Sequence, residues 1–393
     1  MKVAVVGAGP AGLACAVAFE RYGADVVLVD RRVDPTAAGA GIGLWWNGLT
    51  ALRRLGVLSQ LLTGRHVVTR AVYRNRNGDV LARFEPDEFF PEWSAPFVAV
   101  RRAELQHVLA AALHTTTPRF GIRCDSVEQD ANSASLTLSD GSVVRADLVV
   151  AADGMHSRIR GALQPAATVV THSYAWTGVA TRMQSLAGAW EPAAGTFEHV
   201  AGRHGGAFFA SMRDGEVFWG VIGPRQVMAG DAPHLDAVTR FLAGWWPRLT
   251  SLVEATTETD IVGFPVRDLR GRKLVAAGRV AVVGDAAHGM VPHLAQGVSQ
   301  CLEDAVALAA ETARGDGIAE ALRRYRSQRA RRGAAVAAAS RYYARTFSIQ
   351  DPVLRLAGTG RNGRWARGLI LRGARQLFGN GIVDDDQGGR QWT

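Results

Sequence analysis

The chain has 393 residues, 48% of them hydrophobic, which is ample for a sizeable core. Its three cysteines (Cys15, Cys124 and Cys301) are too few and too scattered for a disulfide framework. The formal charge of +9 sits at one end: residues 320–393 hold fifteen arginines against five acids and no lysine, a basic tail with helical texture rather than a nucleic-acid-tracking groove with interleaved aromatics.

Lys2–Val6 is a short apolar strand, Gly7–Gly12 a glycine-rich turn and Leu13–Arg21 a helix ended by Gly23; Asp25–Val29 is a second strand ending in Asp30. The glycines cut the apolar start too early for a secretory segment. No run approaches the ~20 apolar residues of a membrane span, so a soluble cytoplasmic protein is expected. A turn-rich loop, Thr36–Gly43, leads to a helix from about Gly48 to Leu55. Val67–Tyr73 and Asp79–Phe84 form a hairpin around Asn77-Gly78.

Arg102–Leu113 reads as helix, and strands follow near Ile122–Val127, Ser135–Leu138 and Asp147–Ala151. From Val169 to Gly223 the texture is strand and turn, with a hairpin at Asp214-Gly215. Asp236–Trp246 is helical and halted by Pro247. Val280–Val283 is a buried strand leading to a helix from about Gly297 to Arg314, and the tail from Ile318 is mostly helix. The expected fold is α/β: a discontinuous Rossmann-type nucleotide-binding domain (1–65, 100–165 and 270–345), a threaded β-rich substrate domain (66–99 and 166–269) and a C-terminal helical tail (346–393).

Gly7-Ala8-Gly9-Pro10-Ala11-Gly12 has the form of a dinucleotide fingerprint, placed after a strand and opening a helix. The first glycine makes the turn, the second lets backbone N–H groups approach a pyrophosphate, and the third permits close helix–strand packing. Asp30 stands where a ribose diol would be held, and Arg31 beside it is a further candidate for cofactor contact. This pattern alone does not choose between NAD and FAD. Two further motifs do: Ala152-Asp153-Gly154-Met155-His156-Ser157-Arg158-Ile159-Arg160, and Gly284-Asp285-Ala286-Ala287-His288 with Pro292 and Gln296-Gly297 beyond it. Alone, Asp153-Gly154 is an ordinary turn and Asp285 a helix cap.

With Gly41-Ile42-Gly43-Leu44, Asn47, Leu55-Gly56 and Arg102-Ala103-Glu104-Leu105, the set resembles the FAD-dependent aromatic hydroxylases of the p-hydroxybenzoate-hydroxylase fold over residues 1–345. The texture is similar to the salicylate, hydroxynicotinate and urate hydroxylase type. The resemblance implies that Arg102 contacts the FAD phosphate or ribityl region, that Asp285 bonds a ribityl hydroxyl, and that Asp153 and Gly154 serve both FAD and a transient nicotinamide. It further implies that Pro292, His293, Gly297 and Val298 lie beside the flavin ring. The family usually has Gly where Ala295 stands.

The implied activity is that of a monooxygenase: NADH or NADPH visits as co-substrate, and one atom of O2 is inserted into a small aromatic or heteroaromatic compound through a flavin hydroperoxide. An epoxidase or other tailoring oxygenase on an apolar metabolite, and a reductase or oxidase on the same fold, stay open at this point. Candidate substrate-pocket residues are Trp176, His199, Phe208, Phe209 and Trp219, with Arg203 and His204 as further polar candidates. His293, next to Pro292, is the candidate base. No HxxxH or CxxC pair suggests a metal. A monomer or homodimer is expected. For the arginine-rich stretch Arg364–Phe378, docking onto the body of the enzyme competes with contact to an anionic membrane surface.

Overall fold

The structure, a computed structural model, describes residues 1–34, 41–84, 97–181, 193–225, 233–271, 274–346, 373 and 376–379. It is the mixed α/β architecture expected. Lys2–Val6 lies inside a six-stranded sheet, parallel to Asp25–Asp30 on one side and Leu148–Ala151 on the other; Val280–Val282 continues the sheet in parallel beyond Leu148–Ala151. These strands are runs of Val, Ala and Leu without polar alternation, because both faces are buried, by helices and by a three-stranded sheet of Cys124–Gln129, Ala134–Leu138 and Val143–Ala146. Helix Pro10–Arg21 and helix Gly297–Ala313 pack on each other and on this sheet, bringing the first residues of the chain against residues almost 300 positions later.

A second sheet has seven strands, in the order Val262–Arg270, Thr168–Ala180, Glu216–Gly223, Gly205–Arg213, Thr196–Gly202, Arg70–Asn75 and Val80–Phe84. The hairpins at Asn77-Gly78 and Asp214-Gly215 are both present, with Gly78 and Gly215 at φ of +92° and +72°. One face of this sheet carries helices His234–Phe241 and Pro247–Glu254. The other looks toward the ribbon formed by Gly41–Trp45 and Phe97–Arg101, and toward the turn Pro292–Leu294.

Two sequence expectations are corrected. Gly41–Trp45 is a strand, not the end of a loop. A Cβ at Gly41 would lie 2.3 Å from the Phe218 ring, and one at Gly43 would lie 2.5 Å from the Phe97 ring, so these glycines admit aromatic neighbours instead of making a turn. Pro247 does not merely stop a helix. The preceding helix ends at Phe241, and Pro247 opens the next one at a position where its missing N–H costs nothing. Helix Ile318–Thr346 then runs back across the molecule. Among the described residues no helix is long and apolar enough to cross a membrane. Of the Arg364–Phe378 stretch, only Gly373 and Gln376–Phe378 are among the described residues. Phe378 is buried.

Candidate active site

The three fingerprint glycines do different work. Gly7 has φ +105°, and a Cβ there would sit 2.4 Å from the Ala152 carbonyl oxygen; a Cβ at Gly12 would sit 1.7 Å from the Gly7 carbonyl oxygen. Both allow backbone to touch backbone. At Gly9 a Cβ would meet nothing within 4 Å, so its missing side chain leaves room for something outside the chain. Asp30 braces the loop from below. One carboxylate oxygen accepts the Ala8 N–H at 2.6 Å; the other accepts the Arg32 N–H at 2.8 Å and the Arg32 guanidinium at 3.2 Å. Burial works to raise its pKa, but the bonds from Arg32 and Ala8 outweigh it and hold the carboxyl below the usual range. Arg31 is exposed. It is Arg32, one residue on, that pairs with Asp30.

Arg102 opens helix Arg102–Ala111, and its Nε is buried with no hydrogen-bond partner among the described residues. A buried guanidinium N–H without an acceptor costs about 1–3 kcal/mol unless a ligand supplies one. Asp285 is exposed between buried Gly284 and Ala286. Both residues act on the same point, the Cys301 thiol one turn into helix Gly297–Ala313. Burial first, then Asp285 and Asp304, push that thiol well up, while Arg102 pulls it down. Arg102 and Asp285 are therefore both within electrostatic reach of the first turns of this helix, although they are far apart in sequence. A Cβ at Gly297, the first helical residue, would likewise meet nothing within 4 Å, while Val298 beside it packs partly into the core.

Asp153 accepts the Arg158 N–H at 2.9 Å at the start of the helix Arg158–Leu163, which Ser157 caps, and its other oxygen is buried without a partner among the described residues. Gly154 has φ +83° with open space above it. Arg160, the last residue of that motif, donates to the carbonyls of Met155 and Ala286 and so ties the two acidic motifs together.

A buried polar network lies beneath the turn at 292–297. Asp304 accepts from His288 at 2.6 Å, from the Gly284 N–H at 2.8 Å and from Arg329 at 2.7 Å. Arg329 also pairs with Glu303, which accepts from Asn47 at 2.5 Å, and Asn47 bonds Gln296 at 3.0 Å. Burial alone would raise the pKa of Asp304, but His288 and Arg329 hold it down at about 2.

The substrate-side candidates divide by sheet face. Trp176, Phe209 and Trp219 are a correction: all three point away from the turn, into the core under helices His234–Phe241 and Pro247–Glu254, where the Trp219 indole N–H bonds Thr256 at 2.8 Å. Phe208 and His199 are opposite each other on the other face. Phe208 covers Gly220 and clusters with Phe97, Phe197, Phe218, Trp45 and Ala295. His199 is buried against Tyr73 with ring centroids 5.4 Å apart, and its pKa is pushed down to about 3 by burial and then by His293.

His293 sits in the single turn Pro292–Leu294, and burial followed by the His172 charge lowers its pKa to about 4. It is neutral near pH 7. It lines a cavity of about 320 Å³ together with Val291, His172, Arg270, Arg341 and Arg345; His204 lies on the same wall, whereas Arg203 does not line it. The buried Asp268 is shared by His172 at 2.7 Å and by Arg270 and Arg341 at 3.0 Å each, so positive charge predominates on this wall. Arg341 and Arg345 had no signal in the sequence, because the helix Ile318–Thr346 delivers them from a distant part of the chain. No cluster of metal-binding side chains occurs among the described residues.

The model of the family described as FAD binding domain matches residues 1–340. The chain belongs to that family. It is 30% identical over 344 residues to an FAD-dependent urate hydroxylase of Klebsiella pneumoniae subsp. pneumoniae, covering 84% of this chain and 86% of that protein. It is 31% identical over 362 residues to a 3-amino-4-hydroxybenzoate 2-monooxygenase of Streptomyces cremeus, covering 89% of each. The crystal structure of Klebsiella pneumoniae HpxO complexed with FAD and uric acid superimposes with a TM-score of 0.82 at 26% identity, over 96% of both chains.

The chain is thus an FAD-dependent monooxygenase of the aromatic-hydroxylase family. Its residues fit FAD: Gly9 leaves room at the fingerprint, Arg102 has a buried donor to give, and Asp285 offers an exposed carboxylate.

Proposed function

We propose that the enzyme consumes NADH or NADPH and O2 to hydroxylate a small aromatic or heteroaromatic substrate that carries an acidic group. The observation that carries this reading is the cavity beside Val291 and His293, walled by Arg345 and by Arg270, Arg341 and His172, the last three sharing Asp268. Guanidinium groups recognise carboxylates and phenolates by charge-assisted hydrogen bonds, and a basic mouth raises the local concentration of anions. The relatives named for urate and for aminohydroxybenzoate act on compounds of this kind.

In this reading Arg102 and Asp285 would hold the cofactor near the start of helix Gly297–Ala313, whose N-terminal end favours negative charge on a group bound there. Gly7, Gly9, Gly12 and Asp30 form its dinucleotide cradle, and Asp153-Gly154 contributes beside it. When bound, FAD supplies the redox and oxygen-transfer chemistry. Neutral His293 accepts a hydrogen bond from a substrate hydroxyl and so raises the electron density of the ring. Phe208 and its aromatic neighbours keep water out. The seven-stranded sheet is the substrate half, and the six-stranded sheet the cofactor half.

The test compares a hydroxylated aromatic acid that turns over with its amide. Arg345→Gln should raise KM for the acid by roughly tenfold, one lost charge-assisted bond, and leave the amide unaffected. Equal effects on the two compounds would exclude an acidic substrate. A ligand screen read by the rate of NAD(P)H-dependent flavin bleaching finds the acid to use.

A further inference from the structure

We infer that Phe378, from the C-terminal segment, is a positioning residue for the turn Pro292–Gly297, acting through Trp45. The Phe378 ring stacks on the Trp45 indole with centroids 4.0 Å apart and planes 5° from parallel. The Trp45 indole N–H donates to the Leu294 carbonyl at 2.9 Å, and its backbone N–H faces the Ser299 hydroxyl at 3.4 Å. Trp45 thus grips the turn with its side chain and reaches the helix that follows it with its backbone. Phe97 meets the same indole edge-on at 4.9 Å, which leaves its other side for Phe378.

The segment is held in place independently of that ring. Arg332 donates to the carbonyls of Gln376 (3.3 Å), Leu377 (3.4 Å) and Gly379 (3.0 Å), capping the last carbonyls of this short helical turn. The same guanidinium pairs with buried Glu303 at 2.6 and 2.7 Å, within the helix that begins at Gly297. Phe378 and Leu377 complete an apolar cluster with Phe84, Ala82, Trp45, Trp46, Tyr73 and Leu294.

The turn needs such a grip. Ala295, directly after Leu294, adopts φ +50°, and among the described residues it is the only non-glycine residue with positive φ. A left-handed alanine is strained and persists where its surroundings over-determine it. The Leu294 carbonyl, held by Trp45, belongs to the peptide bond that leads into Ala295. Phe378 keeps the indole in the plane that makes this bond, so the C-terminal segment belongs to the active site although it lies beyond both sheets.

The proposal rests on the reading that the 292–297 turn faces the cofactor, and its test has one arm that does not depend on that reading. Hydrogen–deuterium exchange on the FAD-loaded protein should show peptides spanning 290–299 losing roughly tenfold protection in Phe378→Ala, with peptides of the Lys2–Val6 strand unchanged. Phe378→Tyr, which keeps the stack, should restore protection. Trp45→Phe keeps a ring for Phe378 but removes the N–H, so it should loosen 290–299 and leave 376–379 as protected as before; it also decides the matter if Phe378→Ala does not fold.

The second arm reads coupling. Phe378→Ala should release several-fold more hydrogen peroxide per NAD(P)H consumed, at unchanged FAD content. Unaltered exchange at 290–299 in Phe378→Ala or in Trp45→Phe would overturn the proposal, as would a tyrosine variant no better than alanine. Loosening of the turn with full coupling would overturn it too. The exchange arm needs no substrate, so it stands apart from the identity of the acid.

Discussion

Gly9 and Gly12 look alike in the sequence and differ in space. A side chain at Gly9 enters open room, whereas one at Gly12 runs into the Gly7 carbonyl. Gly9→Val should therefore give folded protein that no longer retains FAD, with an apoprotein Tm close to that of the parent apoprotein. Gly12→Ala should lose about 3 kcal/mol or more of stability, because helix and strand must separate. Thermal unfolding with and without added FAD distinguishes the two, and equal behaviour would show that Gly9 does not face the cofactor.

His199 and His293 make a second prediction at this scale. Both have folded-state pKa values, about 3 and about 4, below the unfolded value near 6.5. Below pH 6.5 the unfolded chain binds protons that the folded one refuses, so stability is complete above that pH and falls as pH drops toward 4. His199→Asn should flatten the loss between pH 7 and pH 5 by about 2 kcal/mol. Denaturant unfolding at the two pH values measures it, and an unchanged slope would contradict the burial of a neutral imidazole.

At the scale of elements, period two in a strand says which residues share a face but not which face meets the site. That is why Phe208 and Phe209 could not be told apart from the sequence. Their environments come from helices placed much later in the chain on one side and from the Gly41–Trp45 ribbon on the other. Phe209→Ala should cost about 3–5 kcal/mol of stability and leave KM within twofold. Phe208→Ala should cost less stability and raise KM several-fold. A KM effect from Phe209 would reverse the assignment of faces.

The glycines of Gly41–Trp45 suggest a loop for a related reason: local chemistry signals a turn, and only the partner rings reveal a strand. By contrast, Lys2–Val6, the fingerprint and the strand before Asp153 were legible, because each is a local pattern with a local cause.

For the whole molecule, what the sequence could not show is how helix Ile318–Thr346 closes the site. From its successive turns come Arg329 for the buried Glu303–Asp304 pair, Arg332 for the C-terminal segment, and Arg341 and Arg345 for the cavity. A buried cation beside two buried carboxylates matters mainly as a pair: removing one partner leaves uncompensated charge and costs about 3–5 kcal/mol. The excess of arginine at the C-terminal end, an anomaly in the composition, is thereby partly absorbed by the fold.

The central claim is that this chain delivers one oxygen atom from O2 to an acidic aromatic compound. Turnover under isotopically labelled dioxygen, with an acid selected by its stimulation of flavin bleaching, tests it most directly. The expected product is heavier by a single labelled oxygen, with one NAD(P)H consumed per product. An unlabelled product, or NAD(P)H consumption that yields only hydrogen peroxide with every acid that accelerates bleaching, would contradict it.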